Sequence, residues 1–430
     1  MAVTSTTTIT NPATVSASLA AQIIANTQAA FGKWATKLAG TANIEIEITL
    51  KTGMGTALAT AGSGTSVFIT EINGRNLFLD GTAAEMLTGV DPNGGSADII
   101  VSVDLDDIRA NVFHFDPSNG TATVVPRDKV DYISVALHEI GHGLGFNGWA
   151  AQNYDLTGLT AISTFDRFIA KQNGQGVFTG KNTVAANGGV LKLESGPHIN
   201  QNSEDLMAPA APNGQVLTIS AVDFAVLSDI GVPTTLNDQL VRPADGGTLN
   251  GGAGLDTLAM FAPRGAFAVT GSTVRTTFET WQMQQIERLA FTDGVLALDL
   301  DGNAGQVYRL YQAAFARTPD TAGLAHNVKL VDGGMGLTTM SSAFIASQEF
   351  RQRYGSNVSD TTYINALYLN VLGRGADAAG LAGWQQRLSD GSWDRSTVLI
   401  GFSESAENKA LVGAAISNGI WLGSDGAILV

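Results

Sequence analysis

The residues best equipped for chemistry in this 430-residue chain lie in VALHEIGHGLGFNG, Val135 to Gly148. Two of its five histidines, His138 and His142, are four apart, with Glu139 beside the first. On a helix, positions i and i+4 share one face a turn apart. Both imidazoles can therefore reach one cation at about 2.0–2.1 Å. Glu139 projects at another angle, suited to taking a proton from an attacking water rather than to binding the ion. Zn²⁺ held there would polarise a carbonyl and bring the pKa of water towards about 7, so a peptide bond could be cut without a covalent intermediate. The five-letter pattern also arises by chance in long helices. Its context favours function: Ile133, Val135, Ala136 and Leu137 make a buried face. Gly141, Gly143 and Gly145 suit a helix that packs closely and then turns.

HEIGHGLGF resembles the zinc-binding helix of the metzincin metalloproteases, whose extended form is HExxHxxGxxH. Gly145 matches the glycine of that pattern, and Gly148 stands where its last histidine would be. Further on, PHINQNSEDLMAPAAPNG is similar to the leishmanolysin-like branch, in which the third zinc histidine follows a long insertion and precedes a methionine turn of the form ELMAP. The turn here reads Glu204-Asp205-Leu206-Met207-Ala208-Pro209. The resemblance implies His138, His142 and His198 as zinc ligands, Glu139 as catalytic base and Met207 beneath the metal. It also implies an α+β fold with a two-lobed catalytic domain. SAVDFAVLSDIG, residues 220–231, resembles the helix that closes the lower lobe. Pro209 stands where some members carry a tyrosine that helps the oxyanion, so that help must come from the metal and backbone donors or from other residues. The likeness spans about residues 30–233.

The other histidines agree with this assignment. His114 falls in loop-like FHFDPSNG and His326 inside a C-terminal repeat. Asp155 and Asp166 stay open as alternative ligands, because a carboxylate can replace imidazole on zinc. Without the methionine turn, His198 would read as a solvated loop residue.

Positioning these groups needs a scaffold, and its elements show in the periodicities. Residues 16–38 and 130–145 carry helical spacing, and Ser220 caps a further helix to Gly231. NIEIEITL (43–50), TSVFITEI (65–72) and ADIIVSVDL (97–105) read as strands, with the last as the candidate to receive a peptide as an added strand. Residues 148–215 read as irregular.

Composition narrows the class. The length suggests two or three domains, and 44% hydrophobic residues suffice for packed cores. Thirty-nine acidic against 24 basic residues give −15, which argues against nucleic acid or an anionic membrane as the main partner. Cysteine is absent, which removes disulfides and thiolate ligands together. There is no conventional N-terminal secretory signal and no run long enough for a membrane span.

After Pro233 the chain is turn-rich. GGTLNGGAGLDTL, residues 246–258, resembles one unit of the calcium-binding GGxGxD (RTX) repeats. Asp256 is then a candidate Ca²⁺ ligand; a single copy supplies half a site, and a plain tight turn is the alternative. From about residue 305 the pattern is helical, and LYQAAFARTPDTAGLA (310–325) matches LYLNVLGRGADAAGLA (367–382) at an offset of 57. This region resembles a domain of unknown function common in bacterial secreted and surface proteins. The final DGAILV resembles the uncleaved signal of type I secretion.

The sequence thus leads to three segments: a zinc protease domain (1–235), a turn-rich β linker (236–304) and an all-α repeat domain with the export signal (305–430). The expected function is a secreted zinc metalloendopeptidase, exported by the type I apparatus of a Gram-negative bacterium and acting on protein or peptide substrates, with cell-surface components as further partners. The alternatives are a non-catalytic surface or structural protein with a vestigial metal site, and a cytosolic peptidase.

Overall fold

The computed structural model describes residues 3–116, 118, 124–150, 154–199 and 205–424. The chain is a mixed α+β protein with several sheets and a helical C-terminal region. It forms two compact units. The first comprises Met1–Phe261 and Thr277–Ile286, the second Ala262–Thr276 and Glu287–Leu429. The turn-rich stretch 236–304 is divided between them. The tail at 425–430 and Glu204 lie outside the described residues.

Unit 1 opens with β1 (Thr4–Thr10), α1 (Ala17–Ala35), β2 (Asn43–Lys51), β3 (Ala59–Ser63), β4 (Ser66–Ile72), β5 (Arg75–Asp80) and α2 (Gly81–Thr88). It continues with β6 (Ile99–Asp104), α3 (Leu105–Arg109), β7 (Phe113–His114), β8 (Val130–Asp131) and α4 (Tyr132–Leu144). The central sheet runs β1-β2-β6-β3. Its first three strands are parallel, and β3 is antiparallel to β6. The period-two pattern of β2 buries Ile44, Ile46, Ile48 and Leu50. The strand at 97–105 is therefore interior, with both edges paired, and cannot accept an added strand. The edges belong to β1 and to β3, whose small residues ATAGS give a weak strand signal.

Helix α1 starts on Ser16, whose Oγ accepts from the Leu19 amide at 3.2 Å. Trp34, fully buried near its end, donates its indole N–H to the Leu137 carbonyl of α4 at 3.0 Å and meets Phe224 edge-on. Truncating it to alanine would cost about 3–5 kcal/mol.

The stretch read as irregular, 148–215, is partly regular. It holds β9 (Ala161–Ser163), β10 (Ile169–Gln172), β11 (Gln175–Phe178), α5 (Lys181–Asn187), β12 (Leu191–Glu194) and β13 (His198–Ile199). Strands β10 to β13 form one antiparallel meander. They are too short to show a sustained period, which is why sequence pattern misses them. Helix α6 (Ala221–Asp229) follows, closed by a capping box between Ser220 and Asp223.

Among its described residues unit 2 carries eight α-helices: α7 (Asn303–Phe315), α8 (Thr321–Asp332), α9 (Leu337–Ala346), α10 (Gln348–Tyr354), α11 (Asp360–Leu372), α12 (Ala378–Ser389), α13 (Arg395–Ser403) and α14 (Ala406–Ile416). The second four repeat the first. The matching residues are those that build each turn. Asp320 caps α8 through the Gly323 amide, and Asp377 caps α12 through that of Gly380. Arg317 lies over the Tyr311 ring and binds Glu349; Arg374 lies over Tyr368 and binds Glu407. Among the described residues no helix is long and apolar enough to cross a membrane.

Candidate metal centre

Helix α4 is fixed at both ends. At its start, Asp131 accepts from the Ser134 amide and hydroxyl at 2.9 and 2.6 Å. At its end Gly145 adopts φ +133°, a backbone conformation that side-chain-bearing residues rarely hold. That turn brings the Phe146 carbonyl back to His142, 2.6 Å from Nδ1. Within the helix, Gly141 leaves the space that Met207 fills: a Cβ there would stand 2.7 Å from the Met207 sulfur. The methionine turn is thereby seated against α4. Asp205 Oδ1 accepts from the Met207 amide at 3.0 Å, and the Leu206 carbonyl accepts from His138 Nδ1 at 2.8 Å.

His198 arrives from the meander. It pairs with Glu194 across β12 and β13, beyond a tight turn in which Ser195 and Gly196 both hold positive φ. The Ser195 carbonyl accepts from its Nδ1 at 2.9 Å. The three rings meet: centroids are 4.7 Å apart for His138 and His142, 5.3 Å for His138 and His198, and 5.0 Å for His142 and His198. One ring nitrogen from each falls within 4.8 Å of the others.

A carbonyl oxygen can only accept, so each Nδ1 carries a proton and Nε2 is the atom left to present a lone pair. The Nε2 atoms of His138 and His142 stand 3.0 Å apart with no proton to share between them. Burial also opposes charging the rings. It lowers His138 to about 4 and moves His142 well below the ordinary imidazole value, with the neighbouring histidines adding to both shifts. Three imidazoles, each oriented by a carbonyl behind it, form a donor set that fits Zn²⁺.

Glu139 is 5% exposed, and its Oε2 is buried with no hydrogen-bond partner. Burial pushes its carboxyl up to about 8. A cation at the imidazoles would favour the charged form and bring that value down. His138, Glu139, His142 and His198 line one cleft of about 660 Å³, together with Thr60 and Ala61 of the edge strand and Pro209 to Ala211 beyond the methionine turn. The cleft is large enough for several residues of an extended peptide.

The remaining candidates lie elsewhere. Asp166 is fully buried and spent on the backbone, accepting from Trp149, Ala150 and Ser163. Asp155 is bound to the Thr157 amide, and neither aspartate joins the histidine cluster. Gly148 lines the cleft. His114 ends β7 and His326 lies in α8. Asp256 is buried and accepts from the Asp238 amide at 2.8 Å; it belongs to neither metal-compatible cluster among the described residues. Sequence reasoning missed the three carbonyls behind the imidazoles and the role of β3. The carbonyls have no side-chain signature at all.

A domain-of-unknown-function family (DUF4214) matches residues 341–412, from within α9 to within α14 of unit 2. No curated protein matches the chain.

Proposed function

We propose that unit 1 is a zinc-dependent endopeptidase of metzincin type, related in layout to the leishmanolysin-like branch. The observation that carries this reading is the pairing, in one cleft, of three carbonyl-oriented imidazoles with an unpartnered buried carboxylate. A purely structural site needs the first and has no use for the second. His138, His142 and His198 would hold Zn²⁺, which supplies Lewis acidity and lowers the pKa of water. Glu139 takes the proton from the attacking water and delivers it to the leaving amine. The free edge of β3 binds an extended peptide by backbone hydrogen bonds and lays the scissile bond across the cleft. Met207 supports the imidazoles from below through its contact with Gly141 and the Leu206 carbonyl. Asp256 remains a candidate Ca²⁺ ligand of an RTX-like turn.

Export is part of the same proposal: the DGAILV tail and the GGxGxD-like stretch support it, beside the acidic composition. Deleting residues 425–430 should keep the protein out of the medium, and an unchanged location counts against type I export.

The decisive comparison is wild type against Glu139→Gln on a broad peptide library, with zinc content measured in both. The expected result is one Zn²⁺ per chain in each and at least a ~10³-fold fall in hydrolysis for the variant. Equal rates in both, or no cleavage by zinc-loaded wild type, would favour a surface protein with a metal site that does no catalysis.

A further inference from the structure

A second cluster lies outside the cleft. Glu45 on β2, Glu85 on α2 and Asp98 just before β6 each contribute a carboxylate oxygen, and these oxygens fall within 4.8 Å of one another. Asp98 is fully buried and Glu85 is 5% exposed. One oxygen of each is held by a backbone amide: the Asn43 N–H donates to Glu85 Oε1 at 3.0 Å, and the Glu45 N–H donates to Asp98 Oδ2 at 2.8 Å. The other two, Glu85 Oε2 and Asp98 Oδ1, are buried without any hydrogen-bond partner. None of the ion pairs among the described residues includes any of the three.

Buried carboxylates that are neither paired nor protonated are strongly disfavoured. Desolvation leads the upward shift of both Glu85 and Asp98; a hydrogen bond between the Asp98 and Glu45 carboxyls raises Asp98 further, and the neighbouring charges add to both. A proton could relieve one repulsion. Shared between Asp98 and Glu45, it would not supply a partner for Glu85 Oε2 on α2. A hard cation would, and the dimensions suit one. Calcium binds oxygen at about 2.3–2.6 Å, so its ligands lie at most about 5 Å apart. The all-oxygen donor set disfavours zinc, which prefers nitrogen here. Glu45, half-buried, leaves a side open for water ligands.

We propose that Glu45, Glu85 and Asp98 form a Ca²⁺ site separate from the histidine cluster. The ion would tie together β2, α2 and the start of β6. Helix α2 in turn holds α4, since Thr82 Oγ1 donates to the Gly143 carbonyl at 3.0 Å. Calcium would thus stabilise the scaffold of the histidine helix without touching the reaction. The proposal does not depend on unit 1 being a protease.

The test uses the full chain, stripped of divalent ions and reloaded with one equivalent of Zn²⁺. Adding about 5 mM Ca²⁺ should raise Tm by ~5 °C, and Mg²⁺ by less. Equilibrium binding should count a Ca²⁺ that Asp98→Asn and Glu85→Gln each weaken at least tenfold and Asp256→Asn leaves intact. Asn at position 98 can still accept from the Glu45 amide. If either buried variant fails to fold, Glu45→Gln at the half-exposed ligand provides the same readout. The proposal is overturned if wild type neither binds Ca²⁺ nor gains stability, as for three carboxylates sharing a proton. It is equally overturned if the response survives in the variants, or if Mg²⁺ acts more strongly than Ca²⁺.

Discussion

The two units treat buried charge in opposite ways. In unit 2, buried arginines lie against carboxylates: Arg288 against Asp299 and Asp332, and Arg309 bidentate on Glu404 at 2.8 and 2.7 Å. In unit 1, Asp80, Asp98, Glu139, Asp223 and Asp238 are buried and join no ion pair among the described residues. Burial is the leading cause that pushes the four aspartates to about 7 and Glu139 to about 8. A paired interior is complete by itself. An interior of unpaired acids and neutral imidazoles is poised to take up protons or cations, which is what a reactive site requires and a scaffold avoids.

This contrast can be broken by removing a partner where one exists. Arg309→Met leaves Glu404 only Lys409, at 3.4 Å, and should destabilise unit 2 by about 3 kcal/mol, with the proposed peptide hydrolysis by the folded protein unchanged. Chemical denaturation alongside a peptide assay checks both halves. A smaller effect is expected from Gly141→Ala, whose new methyl displaces Met207. About 2 kcal/mol of stability should go, with at least a tenfold loss of Zn²⁺ affinity as the Leu206 carbonyl moves off His138. Competition with a zinc chelator reads the second number.

Asp80 sharpens the comparison through pH. Its folded value of about 7 lies above the ordinary 3.8, so its favourable contribution is complete below about pH 4 and is lost as pH rises through 7. Asp80→Asn should therefore match wild type near pH 4 and be the more stable of the two at pH 8; melting across that range tests the divergence. The smallest effect belongs to Arg317→Ala. Its side chain is 40% exposed, so losing the Glu349 pair should cost less than about 1 kcal/mol, measured by the same melts.

Much of the scaffold was legible where pattern is long. Helices α1 and α4 carry sustained apolar periods, α6 is marked by its Ser220 cap and the glycine after it, and β2 alternates cleanly over nine residues. The C-terminal repeat was legible because the arginine, aspartate and glycine that build each turn cannot vary freely. The meander β10 to β13 was not, since two- to four-residue strands have no period to detect. The strand at 97–105, the sequence's candidate to receive a peptide, carries a strong apolar run. That strength is what an interior strand needs, with β2 on one side and β3 on the other.

By itself the sequence determined a helix bearing His138, Glu139 and His142 at fixed relative angles, because a helix's geometry is set by its own backbone hydrogen bonds. It also determined that no thiolate could help. Only the tertiary structure decided that His198, some sixty residues on, brings its ring within 5.3 Å of both others. It alone decided which proton each ring carries, since that depends on three carbonyls contributed by turns. And it alone gathered Glu45, Glu85 and Asp98, whose spacing along the chain means nothing until β2, α2 and β6 are packed together.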